Sequence, residues 1–159
     1  MRKLVFLFVL VLLVLSLSAQ ELNLGDRAID FTAVDINGNE IKLSDFYDKV
    51  ILLDFWGTWC GPCKKEIPNL IDIKNTFKND DFEIISIALE RGNYETAKRF
   101  VKDKRMNWVH VIDKPKGIEL AQKYNIYFVP HVFIIKKGKI VAVHLKGSAL
   151  KSKIGELVN

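Results

Sequence analysis

Apolar and polar positions along the chain fall into blocks whose periods predict the elements. Val50 to Phe55 (VILLDF) and Phe82 to Leu89 (FEIISIAL) are nearly all apolar, as strands covered on both faces are. Between them, Ile67, Leu70, Ile71 and Phe77 follow helical spacing, which predicts a helix running to about Lys78. Tyr94 to Arg105 reads as a charged helix with Ala97, Phe100 and Val101 inward. Trp108 to Ile112 reads as a short strand, and Gly117 to Tyr124 as a short helix. Two hairpins flank this series. Phe31 to Val34 and Glu40 to Leu43 surround Ile36-Asn37-Gly38-Asn39, and Asn-Gly is the strongest short hairpin signal. Val132 to Ile135 and Lys139 to His144 turn at Lys137-Gly138. Strands alternating with helices imply βαβ units, hence an α/β protein with a mostly parallel centre and hairpins at its margins.

One block fits no globular element. Met1-Arg2-Lys3 is basic, Leu4 to Leu15 is apolar without a break, and Ser16-Leu17-Ser18-Ala19 is small and polar. These are the three regions of a secretory signal peptide, and the apolar run is short for a spanning helix of about 20 residues. An uncleaved anchor is the alternative. Of the 78 apolar residues behind the 49% content, 15 sit in this leader. Residues 20–159 have ordinary globular composition and are expected to form a single domain. Cleavage after Ala19 removes Arg2 and Lys3, which lowers the formal charge from +5 to +3 and leaves no case for a nucleic-acid partner. Lys98, Arg99, Lys102, Lys104 and Arg105 are interleaved with Glu95 and Asp103, as on a solvated helix face.

The only two cysteines, Cys60 and Cys63, stand three positions apart. A structural zinc site wants four ligands, and only three scattered histidines (His110, His131, His144) are available to join the pair. Covalent haem attachment needs His after the second cysteine, where Lys64 stands. A structural disulfide closing so short a loop contributes roughly 2 kcal/mol at best. Redox chemistry remains. The pair lies where a buried strand passes into a helix, and unpaired N–H groups and the helix dipole stabilise a thiolate there. Cys63 shares the apolar stripe of Leu70 and Phe77 and is expected to be buried; Cys60 precedes the helix and is expected to be exposed. Cys60 would then attack a substrate disulfide, and Cys63 would resolve the mixed disulfide. Pro62 suits the first turn, whereas Pro68 interrupts the helix and should kink it.

Two acids are candidates to move the proton of Cys63. Asp54 interrupts an apolar strand on the face of Leu52; buried there, its pKa should rise, whereas a solvated strand end would leave it unremarkable. Glu66 lies one turn beyond Cys63, at the edge of the buried stripe or on a solvated flank. Lys64 and Lys65 either attract acidic partners or simply solvate the helix.

The segment DFWGTWCGPCKKEIP (Asp54 to Pro68) resembles the active-site segment of the thioredoxin superfamily, and YNIYFVPHVFII (Tyr124 to Ile135) resembles its cis-proline segment. With the N-terminal hairpin and the helix and strand inserted at about 93 to 112, the likeness is to the TlpA/ResA-like branch, exported thiol–disulfide oxidoreductases, several of which serve cytochrome c maturation. The resemblance implies a thioredoxin-like fold: a central mixed sheet flanked by helices, with an N-terminal β-hairpin and an inserted αβ element. It implies Cys60 as nucleophile, Cys63 as resolving thiol and Trp59 as the flanking aromatic. Val129 would bind substrate backbone, Pro130 would be the cis-proline, and Gly61 and Pro62 complete the substrate face. Glu66 matches the acid of ResA-like proteins. Asp54 matches the buried acid of thioredoxin, where ResA-like members often carry Asn, so this chain has both. His131 replaces the common Thr; it either faces the thiolate and lowers its pKa or turns away. The implied activity is reduction of protein disulfides by a periplasmic or otherwise extracytoplasmic monomer, with apocytochrome c a candidate substrate. No cofactor or metal is implied beyond the Cys60–Cys63 disulfide. A membrane thiol reductant must resupply electrons, since no third cysteine exists. A disulfide oxidase or isomerase and a non-catalytic binding module are the alternatives. A peroxiredoxin-type peroxidase is disfavoured, because no Pro-x-x-x-Thr-x-x-Cys arrangement is present.

Overall fold

The computed structural model of the protein describes residues 22–79 and 81–158, so the leader at 1–19 lies outside the described residues. The elements follow the hydrophobic blocks closely. β1 (Thr32–Val34) and β2 (Glu40–Lys42) form a separate antiparallel pair, with Asp35 accepting from the backbone N–H of Asn37 and Asn39 and Gly38 at φ +87°. A 3-10 turn (Leu43–Phe46) leads to β3 (Val50–Trp56), every residue of which is buried. Helix α1 (Gly61–Thr76), β4 (Phe82–Ala88), α2 (Tyr94–Asp103), β5 (Val109–Val111) and α3 (Lys114–Lys123) follow. β6 (His131–Lys136) and β7 (Lys139–Val143) close the sheet. Their turn residues Lys137 and Gly138 both have positive φ, as a tight hairpin of this hand requires.

The five-stranded sheet runs β5-β4-β3-β6-β7. β3, β4 and β5 are parallel, joined through α1 and α2, while β6 is antiparallel to β3 and to β7. The centre is therefore half parallel: β3 has a parallel partner on one side and an antiparallel one on the other. The inserted α2–β5 unit adds the edge strand, and the N-terminal hairpin is tied to it where Ile36 N–H donates to the His110 carbonyl (2.8 Å).

Alternation along the strands builds two cores. Ile51, Leu53, Phe55, Ile85 and Phe133 pack under α3 and the hairpin. Val50, Leu52, Ile84 and Ile134 pack under α1 and a C-terminal helix, α4 (Gly147–Val158), through Leu70, Ile73, Leu150 and Ile154. The pattern-based elements end at His144 and omit α4. Its signal is present but short: Leu150, Ile154 and Leu157 recur at helical spacing behind a glycine start. Helix α1 continues through Pro68, which lies on its exposed side. Among the described residues no helix is long and apolar enough to cross a membrane.

Candidate active site

Strand β3 ends in a tight turn and α1 begins at once, so the chain itself delivers Cys60 to the helix N-cap and Cys63 to the first turn. Cys60 has extended backbone angles, and its sulfur accepts from the Cys63 N–H at 3.1 Å, satisfying one of the helix's orphan donors. Pro62 occupies the first turn, where no N–H is required. The two sulfurs are joined as a disulfide.

Cys60 was expected to be exposed and is not: the two cysteines are 4% and 3% accessible. The physical reason is the segment before β6. The Val129–Pro130 peptide is cis, and the Val129 carbonyl oxygen lies 3.6 Å from Cys60 Sγ, covering it. What separates the two sulfurs is their surroundings. Around Cys60, Trp59 is 41% exposed, Gly61 and Pro62 are exposed, and Val129 and Pro130 are partly so. The Trp59 indole N–H donates to the Leu89 carbonyl (2.7 Å), and the Arg91 guanidinium stacks 3.6 Å from its ring centre. An extended polypeptide laid on this rim meets the Val129 carbonyl, with the exposed Trp59 and Pro62 beside it.

Cys63 faces inward, onto a cavity of about 10 Å3 whose lining includes Asp54, Glu66, Pro130 and Val132. That volume admits about one water. Asp54 is 4% exposed, so it is a buried acid and not a solvated strand end. The parallel register sets Asp54 opposite Ser86, whose hydroxyl donates to Asp54 Oδ2 (3.1 Å) while accepting from the Trp108 indole N–H (2.9 Å). Burial pushes the Asp54 carboxyl up to about 7; the Ser86 hydrogen bond opposes this, and the nearby Glu66 charge adds to it. Such a carboxyl can exchange a proton with a thiol near neutral pH.

Glu66 is half-buried at the other edge of the cavity. Its Oε1 accepts from Asn69 Nδ2 (2.6 Å) and from the Gly147 N–H (2.8 Å), the first residue of α4. It is not a free flank residue: it ties the C-terminal helix to the active-site helix.

His131 turns away from the cysteines. Pro130 and Val132 line the cavity beside Cys63, so strand alternation sends His131 to the opposite face. There its ring centre lies 4.7 Å from Phe133 and 4.1 Å from His144, and Phe128 packs at 5.3 Å. Burial, with His144 adding to it, lowers its pKa to about 4. Lys64 and Lys65 are exposed on α1. Among the described residues no group of three or more His, Cys, Asp and Glu side chains converges to hold a metal ion.

The structure thus brings Cys60, Trp59, Gly61, Pro62, Val129 and Pro130 to one rim, and Cys63, Asp54 and Glu66 to the cavity behind it. The pattern of the sequence does not announce Ser86, Trp108, Asn69 or Gly147 as parts of the site. One signal was available for Ser86: like Asp54, it is a polar residue in a strand otherwise made for burial on both faces.

The profile of the AhpC/TSA family matches residues 24–144. The chain is 33% identical over 137 residues to the thiol–disulfide oxidoreductase ResA of Bacillus thuringiensis subsp. konkukian, covering 86% of this chain and 78% of that one. It is 33% identical over 136 residues to ResA of Bacillus subtilis, covering 85% and 74%. The thioredoxin domain of a thiol–disulfide oxidoreductase from Bacteroides vulgatus superposes with a TM-score of 0.80 at 33% identity, covering 87% of this chain and 100% of that one. A thiol:disulfide interchange protein from Bacteroides sp. superposes with a TM-score of 0.79 at 32% identity, covering 88% and 93%. The chain belongs to the AhpC/TSA family, has a thioredoxin-like fold, and is a thiol–disulfide oxidoreductase.

Proposed function

Starting from that membership, we propose that the protein is exported and reduces disulfides in other proteins, with apocytochrome c among its substrates. The observation that carries the reading is the placement of Cys60 at the α1 N-cap, its sulfur receiving the Cys63 N–H and facing the Val129 carbonyl. A reduced Cys60 at that point is a thiolate stabilised by helix N–H groups and within reach of a polypeptide bound along Val129.

The reaction follows from this arrangement. The Cys60 thiolate attacks one sulfur of the substrate disulfide, forming a Cys60–substrate bond and expelling the other substrate sulfur as a thiolate. Cys63 then gives its proton to Asp54 across the cavity they share. Its sulfur attacks Cys60 Sγ, forming the Cys60–Cys63 bond and expelling the second substrate thiolate. Two electrons pass to the substrate, and the dithiol becomes the disulfide present in the structure. Glu66 lines the same cavity, and its nearby charge adds to the raised pKa of Asp54. Trp59, Gly61, Pro62 and Pro130 form the apolar seat for the substrate chain. No cofactor is needed beyond the cysteine pair, and a membrane thiol reductant returns the pair to the dithiol. The leader at 1–19 supports export, to the periplasm or another extracytoplasmic space.

The test is insulin reduction by wild type and by Cys60→Ser. Activity in wild type that vanishes in the variant supports catalysis; equal activity in both defeats it. Equilibration with glutathione sets the direction: a strongly oxidising potential would make the protein an oxidase or isomerase. Trapping with Cys63→Ser, which holds substrates on Cys60, identifies partners, and recovery of Cys-x-x-Cys-His peptides points to cytochrome maturation.

A further inference from the structure

We propose that Glu90 is a positioning residue for Cys60: its buried carboxylate clamps the turn that precedes the cysteine and sets the charge behind it. The inference rests on the reading of Cys60 as the attacking thiol. Three consecutive residues after β4 hold the two residues before Cys60. Leu89 accepts the Trp59 indole N–H at 2.7 Å, and Arg91 stacks on the same ring. Between them, Glu90 accepts from Thr58 twice, from the backbone N–H at Oε1 (2.6 Å) and from the hydroxyl at Oε2 (2.9 Å).

Glu90 is only 9% exposed, in a loop where carboxylates are ordinarily solvated. Its two oxygens are spent on one residue of the active-site turn, which then closes with the Cys60 N–H on the Gly57 carbonyl (3.1 Å). The turn has no slack. A Cβ added to Gly57 would stand 2.6 Å from Trp59 Nε1 and 3.0 Å from the Leu89 carbonyl oxygen. The Leu89 N–H also donates to the Trp56 carbonyl (2.7 Å), so the loop is anchored to the strand it faces. Cys60 leaves this turn two residues after Thr58, and its sulfur meets Val129 and Cys63 only if the turn is fixed.

The clamp is also a negative charge held against Thr58, two residues before Cys60. The other charged or titratable groups about the turn are Arg91 and Tyr94 beside Glu90, Lys64, Lys65 and Glu66 on α1, and Asp54 behind Cys63. His131 faces the opposite side of the sheet. Among the charged groups of the described residues, Glu90 is the one hydrogen-bonded to the turn itself. Its charge opposes a thiolate at Cys60, against the helix N-terminus that favours one.

The experiment is the pH profile of Cys60 alkylation by iodoacetamide in the reduced full chain. Glu90→Gln keeps the shape and drops the charge, and the midpoint should fall by about one pH unit. Thr58→Val loses the hydroxyl contact but no charge; alkylation should leave the midpoint in place, while insulin reduction slows severalfold. Thr58→Ser retains both donors and should behave as wild type. Thermal melting separates a folded Glu90→Gln from an unfolded one, and Glu90→Asp, whose charge stays but whose reach is shorter, should slow reduction without lowering the midpoint. A folded Glu90→Gln with an unchanged midpoint overturns the proposal, as does a Thr58→Val with unchanged activity. Alkylation needs no disulfide substrate, so a wild type that fails to reduce insulin would sink the function proposed above and leave this test standing.

Discussion

The two ends of the Cys60–Cys63 bridge are covered to nearly the same extent, yet their neighbourhoods are opposite in kind. Cys60 is covered by backbone: the Val129 carbonyl above it and the Cys63 N–H below. Its flanks are exposed aromatic and proline surface. Cys63 is covered by side chains around a cavity with two acids, one of them deeply buried. Accessibility does not tell the sulfurs apart; the identity of the covering groups does. On the function proposed above, a main-chain carbonyl can be exchanged for an incoming main chain, so the cover over Cys60 would be the edge that binds substrate. On the same reading, the side-chain wall around Cys63 would serve proton transfer through Asp54.

The sharpest way to break this contrast is to exchange the sulfurs. Cys60→Ser should abolish insulin reduction, and Cys63→Ser should abolish turnover while still forming a stable mixed disulfide. If Cys63→Ser traps nothing and Cys60→Ser traps substrate, the two neighbourhoods have been assigned backwards.

Next in size is Asp54→Asn. General acid–base assistance is worth roughly 100-fold or more, so resolution of the mixed disulfide should slow by about that factor, measured by stopped-flow after trapping. The pH inflection near 7 should also disappear from the Cys63 reaction. The same substitution has a stability signature. Asp54 has a folded pKa of about 7 against an ordinary value of 3.8, so the folded state holds the proton more tightly. Stability from this group is therefore complete below pH 4 and is lost as pH rises from 4 to 7, in all about 4 kcal/mol. Wild type and Asp54→Asn should diverge across that window in urea titrations, with the variant gaining on the wild type as pH rises.

How much of this contrast is legible in the sequence depends on how far apart its parts lie along the chain. The Cys60 side is the more local: N-cap, turn and Pro62 are neighbours in sequence, and its distant parts are the Leu89–Arg91 loop that grips the turn and, over the sulfur itself, Val129. The likeness of the Tyr124–Ile135 segment to a cis-proline segment was enough to place it. The Cys63 side is tertiary. Asp54 is visible as a polar break in an apolar strand, but its partner Ser86 is supplied by parallel register, and Trp108 by the inserted unit. Glu66 reaches Gly147 across 81 positions, and α4 itself begins with a glycine that hides its start. The burial of Cys60 was misjudged because helix geometry describes only α1, while the cover comes from the loop before β6.

Glu66→Gln is the next smaller perturbation. The amide oxygen can still accept from Gly147, so α4 should stay docked and the melting temperature should change little. The lost charge no longer raises Asp54, so the pH inflection of resolution should move downward and the rate should fall only a few-fold at neutral pH. A large loss of stability instead would mean that Glu66 acts mainly as the tie between the two helices.

The smallest expected effect is at His131, and it tests whether the contrast stops at the sheet. The ring sits one residue from Pro130, yet on the face of Phe133 and His144. A leucine there should leave insulin reduction and the Cys60 alkylation midpoint unchanged, whereas an imidazole facing the thiolate would shift both. Its signature belongs to the fold. With a folded pKa of about 4 against 6.5, the folded state holds this proton less tightly, so stability from the neutral ring is lost as pH falls from 6.5 to 4. His131→Leu should therefore resist acid better than wild type in that window, opposite in slope to Asp54 and without consequence for the disulfide. An acid-resistant variant with altered alkylation would show instead that the Pro130 loop carries the state of the histidine pair across the sheet to Cys60.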